Sequence, residues 1–298
     1  MARWATAIKL QREKDRNLLL LDAGNAFSQL GVAPEAAAEA TIQGMNLLQY
    51  DALAVGEGEL SLGVDFFRKM QNNSSFPLVS ANLFVHDDSQ SLGKRFLIKE
   101  ANGISVGITS VISPAYFQNF PDLGKQIQVL DPAKALSDII PTIRKQADLI
   151  ILLSHLGEVE TRSLVQKVAG IDVAVIGHDS GVLDPPVQAG KTLVVKNANK
   201  GMYFGALEIV VDSESHIVQT NNLIKKLAAD VVADPAVGEL LQTYQQAKST
   251  SLREKSKAMR KNQMEEQLHK TLNALSPEEF VEQEMKRRQQ IQKPAQPQ

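Results

Sequence analysis

Short apolar runs alternate with helical periodicities over the first 212 residues of the chain. Runs of strand length fall at 17–22, 52–56, 77–83, 149–155, 171–177, 192–197 and 204–212. A hairpin is expected from 96–100 and 104–112, joined by a turn at Ala101-Asn102-Gly103. Spacings of three and four residues between apolar positions predict helices over 34–49, 64–72, 132–146 and 159–169. Pro34 and Pro132 suit a first helical turn, and Asp131 is a natural N-cap. Several strands are apolar on both faces, which places them in a sheet covered by other layers. The fold class is therefore α/β and layered.

The pattern changes near residue 213. From Asn221 onward the chain reads as helix, and beyond Ser249-Thr250-Ser251 it turns strongly polar. This gives three regions: an α/β domain over 1–212, a helical linker over 213–248 and a polar helical tail over 249–298. Disorder is expected at residues 293–298. Met264, Leu268, Leu272 and Leu275 form a narrow apolar stripe suited to docking on the domain or on a protein partner.

Composition narrows the function. A net charge of −2 gives no basic surface for a nucleic acid polymer. No apolar run is long enough to span a bilayer, and the basic N-terminal stretch has no apolar core of signal-peptide length before its first charges. The chain has no cysteine, which excludes disulfides, thiolate zinc sites, iron–sulfur clusters and c-type haem attachment.

The chemistry gathers where apolar strands end. "LLLLDAGN" presents Asp22 and Asn25, and "ALAVGEGE" presents Glu57 and Glu59. "LIILLSHLG" presents His155, and "VAVIGHDS" presents His178, Asp179 and Ser180. Ligands of open α/β sheets sit outside the carboxyl ends of the strands. Imidazoles and carboxylates converging there suit Mn, Zn or Fe, which polarise a phosphoryl oxygen and activate water. Of the five histidines, His86, His216 and His269 lie in polar surroundings and are expected to be solvated. Asp22 is expected to fix its loop by backbone hydrogen bonds. Glu57 is open to two roles, a ligand or a partner for Lys or Arg. Asp179 is a weaker substitute ligand, its side chain expected to point away.

The order of these blocks resembles the metallophosphoesterase domain of the 5′-nucleotidase family, within the calcineurin-like superfamily. Ala2-Arg3 and "NLLLLDAGNAF" resemble the family's A-R segment and its L-L-D-A-G-D-x-F. "MNLLQYDALAVGEGELSLG" resembles M-N-x-L-G-Y-D-A-x-A-x-G-N-H-E-F-D-x-G. "FPLVSANLF", "GISVGITSVISP", "ADLIILLSHLG" and "GIDVAVIGHDS" follow in the family's order over residues 2–212. The resemblance implies a four-layered α/β/β/α sandwich with a dinuclear metal site at the strand ends, followed here by the helical tail. The family's D-x-H motif lies on a strand upstream of the A-R segment, so the expectation is a sandwich lacking its first strand. The resemblance also implies export to the periplasm or cell surface.

The departures fall on the metal motifs. The bridging aspartate of D-A-G-D is Asn25, and the asparagine and histidine of G-N-H-E are Glu57 and Gly58. The last histidine of G-H-x-H is Ser180, whereas His155 and His178 stand unchanged. Glu59 matches a supporting position. Family members that hydrolyse nucleotides stack the base on aromatic residues of a C-terminal domain, and here only Tyr244 and Phe280 are available.

Two functions follow from this pattern. The first is a degenerate metallophosphoesterase domain, weakly active or non-catalytic and kept for binding or assembly. The second is an active metal-dependent phosphoester hydrolase, nucleotidase-like, with a rearranged centre. Its metal residues would be His155, His178, Glu57 and Asn25, holding one Mn or Zn ion. The cofactor expectation is accordingly one divalent ion or none, and the ligand a phosphoester or nucleotide. A start further upstream would supply the D-x-H strand and an export signal, but would not restore Asn25, Gly58 or Ser180 to the family's residues.

Overall fold

Alternation along the central strands sets the layers. In a computed structural model of the chain, the structure describes residues 1–273 except 28–30, 32, 87–89, 199–200 and 228–230, together with 276, 278, 279, 281, 282 and 285. The chain runs α1 (Ala2–Lys14), β1 (Leu21–Asp22), α2 (Pro34–Leu47), β2 (Ala52–Ala54), α3 (Glu57–Leu60) and α4 (Val64–Asn73). It continues with β3 (Leu78–Val79), β4 (Leu83–Val85), β5 (Phe96–Ala101), β6 (Ile104–Ile112) and a 3-10 turn at Pro114–Phe117. Next come α5 (Pro121–Gly124), β7 (Ile127–Val129), α6 (Pro132–Arg144), β8 (Leu149–His155), α7 (Glu158–Lys167) and β9 (Val173–Ile176). The last elements are β10 (Val187–Ala189), β11 (Thr192–Lys196), β12 (Tyr203–Val211), β13 (Ile217–Lys226) and α8 (Pro235–Asn273).

One sheet has the order β1-β2-β3 and is parallel throughout. Beside this smaller sheet, a larger, six-stranded sheet has the order β10-β11-β9-β8-β6-β5, with β6, β8, β9 and β11 parallel, and β12-β13 and β4-β7 form two-stranded sheets. On β2, Ala52 and Ala54 face the larger sheet, packing in one cluster with Val106, Ile108 and Leu153. Leu53 and Val55 point the other way, onto Ile42 and Met45 of α2 and Phe67 and Met70 of α4. On β8, Ile151 and Leu153 meet the smaller sheet, whereas Ile150 and Leu152 meet Leu136, Ile139 and Ile143 of α6 and Leu164 of α7. Period two along each strand thus builds helices, sheet, sheet and helices, the α/β/β/α order that the family resemblance implies.

Asp131 caps α6 as expected, its Oδ1 accepting from the Lys134 N–H at 2.8 Å. Asn82, between β3 and β4, ties its segment to the end of β6 and to the residue after β7. It is fully buried, its Nδ2 donates to the Ile112 and Leu130 carbonyls, and its Oδ1 accepts from the Ile112 N–H.

Three expectations change. The run at 77–83 divides into β3 and β4, because residues 80–82 leave the strand to bind across to neighbouring segments. Residues 217–226, read as the start of a helical linker, form β13, which pairs antiparallel with β12. Residues 2–14, read only as a basic segment, form α1, whose Ala5 and Ile8 pack with Leu20, Leu48, Phe204 and Val237.

Met1–Gln245 is one compact unit and Gln246–Gln298 a second. In the second, Leu252, Met259 and Met264 are exposed on α8. The side chains of Leu268 and Leu272, and residues 275, 280 and 293–298, lie outside the described residues. Among the described residues, no helix is long and apolar enough to cross a membrane.

Candidate metal centre

The parallel strands of both sheets release their loops at one end of the sandwich, and the site is built there. β8 ends on His155, paired in register with Ile112 at the end of β6. The imidazole is fully buried because three glycines make room for it. A Cβ on Gly24 would lie 2.8 Å from Nδ1, one on Gly177 3.0 Å from Nδ1, and one on Gly56 2.9 Å from Nε2. Nδ1 lies 2.6 Å from the Ala23 carbonyl oxygen, which can only accept, so Nδ1 carries a proton, and Nε2 faces the site, where it donates to Glu57 when the ring is charged.

Glu57 opens α3 directly after β2. Its Oε2 lies 3.1 Å from His155 Nε2, and its Oε1 lies 3.2 Å from His178 Nε2. Asn25 Nδ2 donates to Oε1 at 2.6 Å. Asn25 occupies the left-handed region at φ 63°, which asparagine tolerates. Its Oδ1 accepts from the Gly58 N–H at 2.8 Å, which fixes the orientation of the amide. Burial favours the neutral form of Glu57. The hydrogen bonds from His155 and Asn25, and the nearby imidazole, outweigh it and bring the carboxyl down to about 2. Burial likewise opposes charge on His155, but the bonds to Glu57 and Ala23 and the carboxylates of Glu57 and Glu59 hold it above its ordinary value.

Glu59 points inward. It is 1% exposed, and its carboxylate accepts from the backbone N–H groups of Asn25, Phe27 and Gly56 at 2.9, 3.2 and 2.8 Å. Burial raises its carboxyl group against the Asn25 and Gly56 N–H donors. Asp22 binds the Gly24 N–H at 2.9 Å, the loop-fixing role expected of it. Asp179 turns away from the centre. Its Oδ2 accepts from the Glu158 N–H at 3.1 Å and lies 3.5 Å from the buried Lys196 ammonium. Ser180 donates its N–H to Asp179. His86, His216 and His269 are all exposed.

Among the described residues, one group of three acidic or imidazole side chains has its donor atoms within 4.8 Å of one another: Glu57, His155 and His178. This donor set suits a single divalent ion such as Zn or Mn, and the Ala23 carbonyl gives His155 the second hydrogen bond typical of a metal-bound imidazole. Asn25 does not add an oxygen to the set, because its Oδ1 is held by Gly58 and its amino group faces Glu57. The pairing of Glu57 with Lys or Arg, considered from sequence, is replaced by the two histidines.

One residue escaped the sequence. Tyr116, on the 3-10 turn, stacks on His178 with ring centroids 3.6 Å apart and planes 20° apart, and meets His155 edge-on at 5.9 Å. Ser113 starts that turn, its side chain accepting from the Ala115 N–H. The signal available was Ser113-Pro114 directly after a strand that ends at the site.

No family model matches the chain. An uncharacterized metallophosphoesterase of Bacillus subtilis (strain 168), YunD, is 29% identical over 199 residues, covering 65% of this chain and 42% of the relative. A snake venom 5′-nucleotidase of Naja atra is 29% identical over 264 residues, covering 80% of this chain and 49% of the relative. The chain thus spans less than half the length of these two proteins. The crystal structure of the calcineurin-like phosphoesterase YfkN from Bacillus subtilis superposes with a TM-score of 0.70 at 24% identity, covering 85% of this chain and 89% of that one. Relatives and fold agree with the ordered blocks of the sequence: the chain has the metallophosphoesterase fold and is similar to the metallophosphoesterase domain of the 5′-nucleotidases, a family that uses divalent metals.

Proposed function

We propose that this domain is a degenerate relative of the 5′-nucleotidases, weakly active or non-catalytic, that keeps the fold for binding or assembly. The observation that carries this reading is the closure of Glu57 on its own neighbours. Both carboxylate oxygens are engaged by His155, His178 and Asn25, so a cation must break those bonds to enter. Gly58 has no side chain with which to assist a leaving oxygen. Asn25 is neutral and turns its amino group to the centre, where a bridge between two cations needs an anionic oxygen. The relatives' names point to phosphoesters and nucleotides as the class of ligand to try first.

A second reading is a mononuclear hydrolase, favoured by the three donor atoms within 4.8 Å. In it Glu57, His155 and His178 hold one Zn or Mn ion, which would supply Lewis acidity at a phosphoryl oxygen. The Ala23 carbonyl orients His155, and the inward-facing Glu59 fixes the loops that carry Asn25 and Glu57.

Metal content separates the two. The protein is loaded with Mn²⁺ and Zn²⁺ in turn, freed of excess and assayed by mass spectrometry beside a His155→Ala/His178→Ala variant. Metal at the variant's background is the expected result. About one equivalent, lost in the variant, together with turnover of phosphomonoesters would overturn the degenerate reading and establish the mononuclear one.

A further inference from the structure

We infer that Tyr116 is a positioning residue that holds His178 against Glu57. The two histidines of the site are held by different means. His155 is buried, gripped at Nδ1 by Ala23 and packed round by glycine backbone. His178 sits at φ 57°, a backbone region that side-chain-bearing residues adopt sparingly, with its side chain 34% exposed. A ring so placed has several rotamers open to solvent. The structure gives it three neighbours: the Glu57 carboxylate at 3.2 Å, the edge-on His155 ring at 5.1 Å between centroids and the Tyr116 ring at 3.6 Å between centroids, and of these only Tyr116 lies flat against it. A single contact at 3.2 Å fixes a distance but leaves the ring free to turn about it. The stacked phenol removes that freedom by fixing the plane.

Tyr116 is suited to this because it is itself fixed. Pro114 and the Ser113 cap set its turn, and its ring packs at the edge of the cluster formed by Phe117, Ile112 and Leu60. The same ring meets His155 edge-to-face, but that imidazole is already held at Nδ1 by Ala23 and by the glycine backbone round it, so Tyr116 positions His178 alone. The contact is made by the ring face, which makes phenylalanine a sufficient replacement. The inference rests on His178 belonging to the site and holds whether or not a metal is bound there.

The test uses the full chain labelled with 13C-histidine, and His86, His155, His216 and His269 serve as internal references. In the unsubstituted protein the His178 ring is expected to be rigid, with an order parameter near 0.85, and to show a cross-relaxation contact to the Glu57 methylene. Tyr116→Phe should preserve both. Tyr116→Leu should drop the His178 order parameter below about 0.6 and erase the contact, with His155 unchanged. A structural role for Tyr116 alone would lower stability without singling out His178. A His178 ring that stays rigid in Tyr116→Leu, or is already mobile in the unsubstituted protein, overturns the inference; the latter outcome needs no variant to fold. Failure of the degenerate reading would appear separately, in the metal content.

Discussion

The two sheets deliver their strand ends to the site differently. The larger sheet does so through length. β8 runs seven residues, and its last one, His155, falls in place as a continuation of the ladder. The smaller sheet has strands of two or three residues, and its loops do the positioning. There Asp22 and Glu59 are consumed as acceptors for backbone N–H groups, and Asn25 ties Glu57 to Gly58. A side chain at the end of a long strand is placed by the sheet, whereas one at the end of a short strand must be placed by other side chains. Departures from the family's motifs at Asn25, Glu57 and Gly58 fall on the loop-built side; His155, the last residue of β8, matches, and in the loop that follows the shorter β9 His178 matches and Ser180 departs.

The sharpest way to break this contrast is Glu59→Ala. It strips acceptors from three backbone N–H groups of the small-sheet loops, and the loss should be about 3 kcal/mol or more in urea unfolding. Gly56→Ala comes next. Its Cβ would lie 2.5 Å from Asn25 Oδ1 and 2.9 Å from His155 Nε2, and the strain should lower stability by about 1–3 kcal/mol and disturb both sides of the site together.

The bond between the two sides predicts a pH profile. Glu57 is lowered on folding, so its contribution is present above its ordinary value of 4.5 and is lost as pH falls through about 2. His155 is raised, so its contribution is full below its ordinary value of 6.5 and is lost as pH rises through its higher folded value. The stability difference between the unsubstituted protein and Glu57→Gln should therefore peak between about pH 4.5 and 6.5, on the order of 2 kcal/mol, and shrink on both sides. A flat difference in denaturation midpoints across that range would show that the pair does not couple the sheets. The smallest effect belongs to His178→Ala. Partly exposed and held by contacts at its tip and face, it should change stability by under about 1 kcal/mol, well below His155→Ala measured in parallel.

The same contrast explains what the sequence made legible. β6, β8, β9 and α6 were readable because burial on both faces, or a clean cap, imposes a pattern. The strand ends His155 and His178 followed from it. β13 was not readable, because it pairs with β12 alone, and Gln219, Thr220, Asn221 and Lys225 leave it without the alternation of a half-buried strand. α3 was hidden because its N-cap is Gly56, which has no capping side chain, and its partner Glu59 reads as one of the strand-end carboxylates. The engagement of Glu57 by both imidazoles depends on loops meeting across two sheets, a relation no local pattern carries. Tyr116 was missed for that reason as well.

The glycine surroundings of His155 bear on how the protein can change over generations. While the imidazole is present, Gly24, Gly56 and Gly177 cannot acquire side chains without collision. Were His155 to become a smaller residue, none of the three would be released: a Cβ on Gly177 would still collide with the Ala23 carbonyl, one on Gly56 would still meet Asn25 Oδ1 at 2.5 Å and the Asn25 backbone nitrogen at 2.9 Å, and Gly24, at φ 98°, would remain restricted by its backbone. The pocket therefore outlasts the ring that fills it. Loss of this histidine would leave its place standing, and return to it would stay open.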